Sequence, residues 1–161
     1  MMKIIGNIFG EVCKTLFPIP EELYFGNENA SIAICTLSDI HLLKMIANSN
    51  LMKDIVLVGR LLSENKGIDS IIHYVNSNYN VKTLILCGKD VFGHQSGDSL
   101  LALHKNGIDL NRRIINSSSP DPVLTISQME VLKFQNQIKI INKIGTSNLK
   151  EISKLVKSKK I

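Results

Sequence analysis

Residues 83–97 read Thr83-Leu84-Ile85-Leu86-Cys87-Gly88-Lys89-Asp90-Val91-Phe92-Gly93-His94-Gln95-Ser96-Gly97. The run from Thr83 to Cys87 is continuously apolar, short, and closed by Gly88, which predicts a strand buried on both faces. A glycine-rich loop follows. Leu100, Leu101 and Leu103 then mark a helix that stops at Asn106-Gly107, a C-cap signal.

The same alternation extends in both directions. Upstream, Ser31 to Leu37 (SIAICTL) predicts a strand, and Asp39 to Asn48 has helical spacing through Ile40, Leu43 and Ala47. Asp54 to Val58 (DIVLV) predicts a second strand, closed by Gly59. Ile68 to Val75 is the next helix, with Asp69 suited to its first turn by the helix dipole. Downstream, Arg113 to Ile115 reads as a short strand and Ser127 to Ile138 as a helix, because Ser127 and Glu130 form a capping box. Ile138 to Ile144 predicts a last strand, and Ser147 opens a Lys-rich helix or tail over residues 147–161. The first 30 residues read as irregular, with a short helix over Ile8 to Leu16 and breaks at Pro18, Pro20, Gly26 and Asn27.

Buried strands alternating with helices predict an α/β fold: a mostly parallel sheet with helices on both faces and right-handed crossovers. Ligands of such sheets bind beyond the carboxyl ends of the strands. Those ends are Thr36-Leu37-Ser38, Gly59-Arg60-Leu61, Gly88 to Gly97 and Asn116 to Pro120.

The chain has 161 residues, 44% of them hydrophobic and 20% charged, which suits one domain over residues 1–161. No apolar run reaches the roughly 20 residues of a membrane span. Met1 to Gly10 lacks a basic segment followed by a long apolar one, so the expected location is cytoplasmic. The net charge of +5 lies entirely in Lys143 to Ile161, which holds six lysines and one glutamate. The rest is balanced, so no nucleic-acid platform is expected. Cys13, Cys35 and Cys87 lack ligand spacing, and the last two sit in apolar runs, as buried free thiols do.

His94 carries the chemistry. It stands just before a helix start, in a loop where Gly88, Gly93 and Gly97 permit close approach by a bulky group. A helix start favours the neutral imidazole, the form that ligates metals. Asp90 is the expected partner of the other ring nitrogen. The same imidazole also suits plain helix capping. A lone protein ligand fits a metal already held by a macrocycle, haem or corrin alike.

The segment Leu84 to Asp90, then Gly93-His94-Gln95-Ser96-Gly97, then Leu101-Ala102-Leu103-His104-Lys105-Asn106-Gly107-Ile108-Asp109 resembles the corrinoid-binding A subunit of the tetrahydromethanopterin S-methyltransferase complex of methanogenic archaea. The likeness extends over Glu64 to Ile68, Phe17 to Leu37, Arg113-Ile114-Ile115 and Phe134-Gln135. It implies a Rossmann-like domain binding a cobamide with 5-hydroxybenzimidazole or a similar base. His94 falls on the family's axial ligand to cobalt. In that complex the cobalt takes a methyl group from methyl-tetrahydromethanopterin and passes it to coenzyme M, with other subunits as partners. The family's polypeptide ends in a hydrophobic anchor, whereas this chain ends in lysines. A free-standing homologue and a truncated complex member both accord with that difference.

Around His94, the expected cofactor contacts are Gly93, Gln95, Gly97, Gly88, Thr36, Leu37, Ser38 and Gly59. Glu64 and Asn65 can hydrogen-bond corrin amides or cap the helix at Ile68. Ser117, Ser118 and Pro120 can meet the nucleotide tail or form an ordinary turn. His104, near a helix C-terminus, suits the dipole there. A cobamide sensor or storage protein is the second reading. A nucleotide-binding domain is the third, weakened because no G-x-G-x-x-G follows the first strand.

Overall fold

The computed structural model describes residues 22–159; the expected helix over Ile8 to Leu16 lies outside them. Five strands are present: β1 (Leu23–Phe25), β2 (Ile32–Cys35), β3 (Leu57–Gly59), β4 (Thr83–Gly88) and β5 (Lys139–Ile144). They form one sheet in the order β1-β3-β2-β4-β5. The last four strands run parallel, and β1 pairs antiparallel with β3 at one edge. The helices are α1 (Ile40–Ala47), α2 (Lys66–Ser77), α3 (Ser96–Asn106), α4 (Gln128–Gln137) and α5 (Leu149–Lys159), with a 3-10 turn at Asn50–Lys53.

Alternation along the strands sends side chains to two cores. Ala33, Cys35, Leu84 and Leu86 face one layer, packed against Ile68, Ile72, Leu100, Leu103 and Phe134 of α2, α3 and α4. Ile32, Ile34, Ile85 and Cys87 face the other, against Leu42, Leu43 and Ile46 of α1 and Ile152 and Val156 of α5. Both faces of the sheet are therefore covered, as expected of an α/β fold. The lysine-rich end is a packed helix: Ile152 and Val156 are fully buried while its lysines line the outer side. Burial pushes the Cys35 thiol up to about 12 and raises that of Cys87 as well, so both are inert packing groups.

Three expectations need correction. Residues 23–25 are not irregular but form edge strand β1. The strand is three exposed residues long, too short to show a strand period. The second inner strand starts at Leu57 rather than Asp54. Ser49 accepts from Leu51 N and draws the preceding residues into the 3-10 turn, which Asp54 ends. Residues 113–115 add no strand to the sheet. They make two isolated antiparallel bridges, Ile108 with Ile114 and Arg113 with Val123, within the connection from α3 to α4.

The chain leaves β2 toward α1 on one face and leaves the neighbouring β4 toward α3 on the other. That reversal is the topological switch point, where open α/β sheets bind ligands beyond the strand ends. The loop bearing His94 follows β4 at this point. No helix among the described residues is long and apolar enough to cross a membrane.

Candidate functional site

The loop after β4 is fastened from within. Asp90 Oδ1 accepts from its neighbour Val91 N (2.7 Å) and from Gly97 N (2.9 Å), and Oδ2 accepts from Asp98 N (3.1 Å). Asp90 thus caps the start of α3 and does not meet His94, contrary to the sequence expectation. A helix start carries unsatisfied amides and partial positive charge, which a carboxylate six residues upstream can satisfy.

The partner of His94 is Glu64. Its Oε2 lies 2.9 Å from His94 Nδ1, and its side chain is 3% exposed against 55% for the imidazole. A carboxylate only accepts, so Nδ1 carries the proton, and in the neutral ring the lone pair is then on Nε2. Nε2 has no partner among the described residues. Glu64 Oε1 in turn accepts from Asp121 N (3.2 Å). The ring is therefore oriented by a buried acid, itself held by a third segment.

Other bonds tie the same segments. Ser96 Oγ donates to Leu61 O (2.9 Å). Ser119 Oγ donates to the carbonyl of His94 and pairs with Ser99 Oγ, which also meets Ser117 Oγ at 2.7 Å. Ser118 Oγ donates to Gln95 Oε1. The fold thus brings Glu64, His94, Gln95 and the 117–120 stretch together. Asn65 takes the capping option, accepting from Lys66 N (2.7 Å). His104 Nε2 pairs with Ile138 O at 2.8 Å and its ring meets the Phe134 ring edge-on, a structural role.

Several expected contact residues lie below the surface. Thr36, Leu37, Gly59, Gly88 and Gly97 are buried. The strand ends close on one another there: Arg60 donates to Leu37 O (3.4 Å) and Ser38 O (3.1 Å), and Ser38 Oγ donates to Lys89 O (2.7 Å). These residues form the floor beneath the loop. Leu37 adopts φ 54 and Gln95 φ 47, left-handed conformations that side chains seldom take. Strain of this kind gathers at functional sites.

A family model for the A subunit of tetrahydromethanopterin S-methyltransferase matches residues 12–160. The chain belongs to this family. Among its relatives, a Methanosarcina barkeri protein, named as the A subunit of a "Putative methyltransferase Mtx", is 38% identical over 136 residues, covering 84% of this chain and 65% of the relative. The tetrahydromethanopterin S-methyltransferase A subunit of Methanohalophilus mahii is 34% identical over 102 residues, covering 63% of this chain and 42% of its own. The A subunit numbered 1 in Methanothermobacter thermautotrophicus is 38% identical over 103 residues, covering 63% and 43%. The chain spans between about two fifths and two thirds of the length of these relatives.

A groove lies apart from the His94 loop. It measures about 300 Å³ and runs beside β1 and α2, lined by Leu23, Leu57, Arg60, Ile71 and Tyr74 among others. His94 is not on its wall. The half-exposed imidazole sits at the tip of the loop after β4. Neither Glu64 as its partner nor Asp90 as a cap was readable from spacing, since 30 residues separate Glu64 from His94.

Proposed function

We propose that this chain is the cobamide-binding methyl carrier of a corrinoid-dependent methyltransferase, with His94 as the lower axial ligand of cobalt. In this reading, the methyl group comes from methyl-tetrahydromethanopterin and goes to coenzyme M, with partner subunits presenting donor and acceptor. One observation carries it: an outward-facing Nε2 on a ring whose other nitrogen is fixed by a buried carboxylate. That arrangement of imidazole and supporting acid is the one metal-bound histidines use. The donor set fits a macrocycle-held metal, since among the described residues no three His, Cys, Asp or Glu side chains group into a metal site. When bound, the cobamide supplies a cobalt that accepts and releases a methyl group.

The chain's own residues supply position. Glu64 sets the tautomer and aim of His94, and Asp90 holds the loop that presents it. Gln95, Ser117 and Ser118 offer polar groups beside the ring for the cofactor's amides or nucleotide tail, with Pro120 at the rim. A nucleotide-binding reading is disfavoured by the helix starts. The α3 amides that would take a phosphate are already bound by Asp90, and those of α2 by Asn65 and Ser63.

The test is electron paramagnetic resonance of the Co(II) protein reconstituted with cobamide and labelled with nitrogen-15 histidine. Coupling to the protein nitrogen is expected in the native chain and lost in His94→Ala. Coupling that survives unchanged in His94→Ala refutes the assignment.

A further inference from the structure

The tip of the His94 loop also carries Phe92, which is as exposed as it would be in an unfolded chain, at 102%. Single exposed apolar residues are common and ordinarily need no explanation. Phe92 differs from them in how firmly it is held out. Gln95 N donates to Val91 O at 2.9 Å, closing a single turn whose tip is Phe92-Gly93-His94. Asp90 pins the amide before the tip and two amides after it. Ser119 bonds the carbonyl of His94. Gly93 sits at φ +81, and an added Cβ there would meet nothing within 4 Å. The tip projects into open space on a backbone anchored at both ends.

An aromatic ring kept in water on an ordered turn, two residues from an outward-facing Nε2, is poised to be covered by whatever binds that nitrogen. Tyr79, another exposed aromatic, has a partner within the chain, since Lys133 Nζ lies 4.9 Å from its ring centre. Phe92 makes no contact of this kind with the described residues. A corrin is broad, flat and fringed with methyl groups. Seated on Nε2, it extends well past the imidazole on every side.

Resting on the proposed function, we infer that Phe92 is a cofactor-contacting residue that packs against the apolar rim of the bound macrocycle. It adds affinity by burial at no cost to the folded chain, because it packs against nothing before the ligand arrives.

The experiment uses the full chain and reads two quantities. Cobamide affinity is measured by titration of the visible spectrum, and stability by thermal unfolding of the cofactor-free protein. Phe92→Ala is expected to bind cobamide about 20-fold more weakly, with Phe92→Leu recovering most of the loss. The melting temperature of the cofactor-free protein should be the same in all three, which a structural role for Phe92 would not allow. Affinity in Phe92→Ala within twofold of the native value overturns the inference. So does unchanged cobamide affinity combined with weaker methyl transfer to a partner protein, which would place Phe92 in a protein interface. If the native chain binds no cobamide at all, the proposed function falls and the inference goes with it. That outcome is separate from binding that merely ignores Phe92.

Discussion

Glu64→Ala is expected to weaken cobamide binding by about 10- to 100-fold, the usual loss when the partner of a metal-bound histidine is removed. Two effects combine. His94 Nδ1 loses its acceptor at 2.9 Å, so the ring is free to rotate and to change tautomer. The amide of Asp121 loses Oε1 as well, which releases the 117–121 stretch beside the ring. The fold itself should survive, because Ser63 and Asn65 still cap α2. Losing a charge-assisted bond at a buried site is expected to cost about 1.5–3 kcal/mol of stability. Glu64→Gln keeps an acceptor of similar reach and should fall between the two. Spectral titration gives the affinities, and the nitrogen coupling of the Co(II) form reports ring orientation. Native affinity and native coupling in Glu64→Ala would reduce Glu64 to a strut between α2 and Asp121.

The second large effect is on folding. Gly88 ends β4 at φ +74, and an added Cβ would lie 2.4 Å from Thr36 O and 2.7 Å from Asp39 Cβ. The nearest obstacle is backbone, one residue past the end of β2 and between buried Cys35 and Leu37, so it cannot swing aside. Gly88→Ala combines left-handed strain of about 1–2 kcal/mol with overpacking of about 1–3 kcal/mol. Its melting temperature is therefore expected to drop by about 10 °C. Gly93→Ala is the control: the conformation is similarly strained, but the space is open, so about 1–2 kcal/mol is expected. Chemical denaturation of both variants decides the matter. Equal losses would show that conformation alone, and not the close approach of β2 and β4, requires Gly88.

The fold was legible where the signal is local. Ser127 and Glu130 form the expected capping box, with Glu130 N donating to Ser127 Oγ and Ser127 N to Glu130 Oε2. Gly107 ends α3 at φ +73. The buried runs at Ile32–Cys35 and Thr83–Gly88 lie side by side in the centre of the sheet. His94 was legible as a residue that stands apart, in a glycine-rich loop after a strand. Its environment was not. Which acid faces an imidazole depends on how α2 and α3 are set on the sheet, and nothing near His94 in the sequence encodes that. Asp90 is close to His94 in sequence, yet the amides at the start of α3 compete for it and win. Asp69 suits the first turn of α2 by its charge alone. It is also buried, accepting from Thr125 N (3.0 Å) and Oγ1 (2.8 Å) across 56 residues, a tie that helix spacing does not reveal.

The pieces around His94 come from three distant stretches: Glu64 at the entrance to α2, the loop before α3, and Ser119 with Asp121 in the connection to α4. None of these stretches meets the others unless the sheet between them is assembled. A ligand seated there has almost nothing to hold in the unfolded chain, so its binding free energy adds in full to that of the native state. At a concentration one hundred times its dissociation constant, that increment is about 2.7 kcal/mol. Were the proposed cofactor that ligand, its supply would become a determinant of how long each copy of the chain persists. Chains that never load would spend more time open to proteases than those that do.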